Sequence, residues 1–182
     1  MVNWLWYFWF YSFLGWGLER AFALLSRAES QKRRCFLLLP LCPVYGFGML
    51  AVLALPPMGW FPLAVWGGLA ATAVEYAYHW VGEVLLGVWF WDYSQVPGNV
   101  AGRVCLPFSL AWGVLTAGAV HFVQPLAAVF AEAIPAWGSY AFLLLFTADT
   151  VCSLYFLRVT GDLEGMRQAV PVRTLLQLFH VP

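Results

Sequence analysis

At 182 residues, 63% of them hydrophobic and only 10% charged, the chain has too little polar surface to cover a water-exposed globule, since soluble domains run at about 25% charged. Its nine basic and nine acidic residues cancel, and that balance excludes the basic surplus by which proteins hold nucleic acid. The composition points to a single integral domain partnered by the lipid bilayer, with Cys35, Cys42, Cys105 and Cys152 reduced, because none stands in CxxC or zinc-ligand spacing.

A spanning helix needs roughly 20 mostly apolar residues. Five stretches qualify: 3–25, 35–55, 61–86, 105–130 and 136–157. The breakers between them are the charged linker 26–34, Pro56-Pro57, the polar loop 92–103 and Ala133-Ile134-Pro135. The expected fold is therefore an all-α, five-transmembrane-helix bundle over residues 1–158, followed by a cytoplasmic tail, 159–182.

The first span opens on an aromatic belt, Trp4, Trp6 and Trp9, at headgroup level. It lacks a basic n-region and a small-residue cleavage site, so it does not read as a removable signal peptide. Gly15 and Gly17 allow close helix approach, Glu19 lies a turn or two inside the end, and Arg20 can snorkel outward. The second span carries Pro40, Pro43, Gly46 and Gly48 in its first third, which predicts an irregular entry. In the third, Gly67, Ala71, Glu75, His79 and Glu83 recur at four-residue steps and form a slowly winding stripe. Glu75 and Glu83 are then about 80° and roughly 12 Å apart, so each needs a partner from another helix. The fourth holds Ser109, Gly113, His121 and Pro125, and the fifth holds Asp149 in its cytoplasmic half. In the tail, Val172, Leu175, Leu176 and Phe179 have the spacing of a short interfacial helix, with a frayed tail as the alternative and the slightly favoured reading.

Orientation follows from charge. With five spans, Arg20, Arg27, Lys32, Arg33, Arg34, Arg103, Arg158, Arg167 and Arg173 all fall on one side. The positive-inside rule makes that side the cytoplasm, giving N-terminus out and C-terminus in.

Several motifs resemble a known family. They are Tyr11-Ser-Phe-Leu-Gly-Trp16 with Glu19, Pro40-Leu-Cys-Pro-Val-Tyr-Gly-Phe-Gly48, Glu75 and Glu83 eight apart, Trp91-Asp-Tyr-Ser94, Gly102-Arg-Val-Cys-Leu-Pro-Phe-Ser109, and Trp112-Gly113. In order and content they are similar to the bacterial ABC-transporter permease family labelled CmpB or type IV, over residues 8–115. The resemblance singles out Glu19, Tyr45, Glu75, Glu83, Asp92, Tyr93 and Arg103; His79 departs from the pattern, where a small residue is expected. It also implies a separate ATPase subunit, because this chain has no GxxxxGK[ST] phosphate loop. The stretches 26–34 and 91–103 are the docking surfaces on offer.

Ionisable groups at membrane depth are costly and by default functional. The candidate substrate- or ion-binding set is Glu19, Tyr45, Glu75, Glu83, Asp92, Tyr93, Arg103 and Asp149, clustered toward one cytoplasmic opening. Glu75, near mid-membrane with no cation in its own helix, is the leading ligand or proton carrier. Arg103 is the expected counter-ion of Glu83 or Glu19, and Trp89, Trp91 and Tyr93 read as an inner interfacial belt. The spacing of Glu75, His79 and Glu83 lacks metal-ligand geometry, and Ser109 and His121 lie about three turns apart, so neither a metal, a cofactor nor a nucleophile–base pair is expected. The reading that results is a permease-like transport protein of the bacterial inner membrane. It would move a small solute or cation through a carboxylate-lined site, as a homo-oligomer because so few helices rarely enclose a pathway alone. The alternatives are an integral membrane enzyme acting on a lipid or lipid-linked substrate, with Glu75 or Asp92 as acid/base and Arg103 gripping a phosphate, and a non-catalytic assembly subunit.

Overall fold

The structure, a computed structural model, describes residues 2–25 and 36–160. The charged linker, Cys35 and the tail helix proposed around Leu175 lie outside the described residues. Within them the regular structure is helical apart from one small hairpin: α1 (Val2–Leu25), α2 (Pro43–Leu53), α3 (Trp60–Leu86), β1 (Asn99–Val100), β2 (Val104–Cys105), α4 (Leu106–Gly118), α5 (Gln124–Ala133) and α6 (Ala136–Thr160). A π-helical turn, Ala119–Val123, joins α4 to α5 into one continuous rod. It falls just before Pro125, whose missing N–H leaves the carbonyl one turn back without its usual donor.

The ends of these helices follow from local chemistry. Gly87 closes α3 in the left-handed region, φ 68°, and donates its N–H to the Glu83 carbonyl at 3.1 Å. Ile134 is extended ahead of Pro135, so α5 stops there and α6 starts directly afterwards. The second apolar stretch differs from expectation. Only Pro43–Leu53 is helical, 11 residues or about 16 Å, roughly half the thickness of a bilayer core. Phe36–Cys42 ahead of it is irregular, because Pro40 and Pro43 remove donors and restrict the residues before them. Four of its amides are nevertheless satisfied: Leu38 and Leu39 donate to Asp149, Leu41 to the Leu39 carbonyl, and Cys42 to the Ser12 carbonyl at 2.8 Å.

Small residues set the helix contacts. A Cβ added to Gly68 would lie 2.9 Å from Gly113 Cα, and one added to Gly113 would lie 2.7 Å from the Ala64 carbonyl oxygen. The backbones of α3 and α4 therefore touch, as small-residue interfaces permit. Gly46 likewise lets α2 lie against the Phe8 carbonyl, and Gly15 leaves room for the Tyr45 ring.

Polarity is inverted relative to a soluble domain. Ser12, Glu75, His79, Thr116 and Ser153 are at most 1% exposed, whereas Phe61, Val114 and Leu144 are more than 70% exposed. Such an extended apolar exterior marks a surface made for lipid. By length and hydropathy together, Leu106–Ala133 and Ala136–Val159 are fit to cross a membrane. Helices α1 and α3 have the length, at 24 and 27 residues, but Glu19 and Arg20 in α1, Glu75, His79 and Glu83 in α3, and the tryptophans, tyrosines and glycines of both keep them out of that class.

Candidate functional site

Glu75 projects from the middle of α3 and is fully buried. Its Oε2 accepts the indole N–H of Trp112 at 2.5 Å. Trp112 comes from α4, brought beside α3 by the neighbouring Gly113 contact. The Tyr45 ring lies 5.0 Å from the Trp112 ring, and the Tyr45 hydroxyl donates to Glu19 Oε1 at 2.6 Å. Four elements, α1 to α4, thus contribute one carboxylate–phenol–indole–carboxylate chain. Tyr45, Trp112 and Glu19 also line a cavity of about 300 Å³ together with Tyr93, Phe22 and Phe108, while Glu75 lies behind the indole. Such an arrangement sets carboxyl groups beside aromatic faces, the combination that attracts cations when the acid is ionised.

Glu83 and Arg103 form a separate unit. Arg103 follows a tight turn in which Ala101 and Gly102 both have positive φ, the pattern of a hairpin turn joining β1 to β2. Its Nη2 and Nε donate to Glu83 Oε2 at 2.8 and 3.1 Å, and Nη1 donates to the Tyr76 hydroxyl at 2.9 Å. The Glu83 bond raises the guanidinium pKa above its ordinary value. Of the two partners expected for Arg103, the structure selects Glu83. Asp92 is used locally: its Oδ1 accepts the Ser94 N–H at 2.8 Å. Asp149 stands apart again, each oxygen 3.2 Å from an amide of the irregular segment, Leu38 and Leu39.

The structure therefore brings Glu19, Tyr45, Tyr93 and, through Trp112, Glu75 together, and it does not bring Glu83, Asp92, Arg103 or Asp149 to the same place. Ser109 and His121 are each bonded to a carbonyl of their own helix, Cys105 and Ala117, and do not meet. The belt reading of the loop aromatics needs correction. Trp89 is exposed, but Trp91 is 4% and Tyr93 0% exposed, because the loop folds back under the bundle. The Trp91 indole donates to the Arg103 carbonyl at 2.7 Å, and Tyr93 stacks on Phe108. His79 anchors the same loop, its Nε2 lying 2.8 Å from the Trp91 carbonyl oxygen. Sequence reasoning left Trp112 and Tyr76 out of the candidate site, although Trp112 stood in one of the quoted motifs. Trp112 carried a usable signal, since an indole N–H in an apolar span needs a buried acceptor.

The fold and site define an α-helical membrane protein whose polar groups face inward. A family model described as Putative ABC-transporter type IV matches residues 6–155, and the chain belongs to that family. The family name suggests an ABC-transporter-related membrane protein. No curated protein and no solved structure matches the chain.

Proposed function

We propose that the protein is a permease-like transport subunit that binds a small cationic solute at Glu19, Tyr45 and Trp112, with Glu75 behind the indole as the second carboxylate of the site. One observation carries this reading: a cavity walled by aromatic rings holds the Glu19 carboxylate, and its Trp112 wall is hydrogen-bonded to a second, buried carboxylate. A buried acid with only structural duty is costly, whereas one that shares a cation or proton with a substrate is functional. On this reading the chain crosses the bacterial inner membrane five times, N-terminus outside and C-terminus inside. The second crossing uses the irregular segment plus the short α2, backbone of a kind tolerated where protein buries it. Residues 159–182 form the cytoplasmic tail, copies of the chain associate, and a separate ATPase supplies energy. Glu83, Arg103 and Asp92 then order the cytoplasmic loop that such a partner would touch. The lipid-enzyme alternative has less support, because the guanidinium it needs for a phosphate is engaged by Glu83 and Tyr76.

The test is thermal unfolding of the purified protein with a panel of metal cations and organic amines, in wild type, Glu19→Gln and Glu75→Gln. At least one cation should stabilise wild type and lose that effect in both variants. If every stabilising ligand acts equally on all three proteins, the carboxylates do not form the site.

A further inference from the structure

The cavity at Glu19 is not closed at its far end. A second cavity, about 380 Å³, continues past Leu14, Met49 and Phe122, and Leu18, Tyr45, Trp112 and Leu115 line both. Together they form one trough between α1 and the Leu106–Ala133 rod, each part large enough for a small organic ligand. Its polarity is graded. The Glu19 carboxylate and the Tyr45 hydroxyl meet at one end. Toward the other end the polar atoms serve the protein itself: Tyr11 donates to Gln124 Oε1, and Thr116 donates to the Trp112 carbonyl. Among the described residues no Lys or Arg lines either cavity. Val114 and Phe122, on the trough's outer edge, are 74% and 68% exposed, so it opens sideways to the lipid.

We infer that the solute is an amphiphile, a single-chain alkylammonium ion. Its ammonium group lies against Glu19 within the rings of Tyr45, Trp112 and Phe108, and its chain lies along the trough toward Phe122. This inference rests on the cation-binding reading above and adds the tail. The charged end is recognised by carboxylate and ring faces, and the chain by burial of methylenes out of water. Lateral opening suits such a ligand, which reaches the site from the bilayer.

Binding of butyl-, hexyl- and octyltrimethylammonium is measured by calorimetry on protein in phosphatidylglycerol nanodiscs, with empty nanodiscs subtracted. Tetramethylammonium and the matching alkyl sulfates are the controls. Affinity should rise about fourfold per methylene, the equivalent of ~0.8 kcal/mol for each CH2 buried. Glu19→Gln should weaken every ammonium ligand at least tenfold. Val123→Trp and, on the exposed edge, Val114→Trp, both at positions that line the second cavity and not the first, should abolish the gain with chain length while leaving tetramethylammonium binding intact. The inference is overturned if alkyl sulfates bind as well as the ammonium series, or if the chain-length gain survives both tryptophan variants. Glu19-dependent tetramethylammonium binding without any chain-length gain would overturn the tail but leave the carboxylate site standing. Absence of all ammonium binding would remove both.

Discussion

The bond from the Trp112 indole to Glu75 joins α3 to α4 in the interior of the bundle, and its removal is the most informative perturbation. Trp112→Phe keeps an aromatic ring but deletes the donor. A hydrogen bond to a carboxylate contributes about 1.5–3 kcal/mol, and losing one partner leaves the buried acceptor unsatisfied. The smaller ring adds on the order of 1 kcal/mol for the space it vacates. Trp112→Phe should therefore lower the unfolding free energy in neutral micelles by about 2.5–4 kcal/mol. Glu75→Leu should also destabilise, because it orphans the indole N–H. The double variant replaces both partners by apolar groups, which is nearly neutral for the bond itself. A double-mutant cycle should then give a coupling of about 1.5–3 kcal/mol. Additivity within about 0.5 kcal/mol would show that the two groups do not depend on each other, and the site as described would fall.

Gly113→Leu should separate α3 from α4, costing at least about 1–3 kcal/mol because the obstacle is backbone rather than a movable side chain, as read by unfolding in micelles; wild-type stability would refute the close crossing. Arg103→Ala should destabilise the protein in detergent, and Arg103→Ala with Glu83→Leu should recover most of the loss; a double variant no better than the single would refute the pairing. Asp149→Leu should cost about 1–2 kcal/mol by uncapping Leu38 and Leu39, with Asp149→Asn intermediate, and equal effects of the two would contradict the capping role. In cells, a cysteine placed at Gly59 should react with an impermeant maleimide from outside while one at Gln95 does not; the reverse would overturn the proposed orientation.

Much of the helical layout was legible because spans and breakers are local properties. The first, third and fifth apolar stretches begin and end within a few residues of α1, α3 and α6, where Gly87 and Pro135 punctuate the chain. The second was less so. Hydropathy weighs Phe36–Cys42 as it weighs a helix, and only Pro40 and Pro43 disclosed that its backbone is irregular. The site was legible as residue types and hidden as connections. Tyr45 and Glu19 are 26 positions apart, and nothing in their spacing says that a phenol reaches a carboxylate. Asp149 looked like an ionisable group awaiting a ligand, whereas it satisfies amides 110 and 111 positions away, a need visible only once the backbone is placed. Trp91 and Tyr93 have the composition of an interfacial belt, and only the fold-back of the loop distinguishes a buried ring from an exposed one.

The central claim is a cation held between Glu19 and the aromatic pair Tyr45–Trp112, with Glu75 behind the indole. It is tested most directly by an experimental structure of the protein determined with a cation that stabilises it. The account predicts ligand density in the cavity beside Glu19, in contact with the rings of Tyr45 and Trp112, and the loss of that density in Glu19→Gln. Density for the same ligand elsewhere on the protein, with this cavity unchanged, would contradict it.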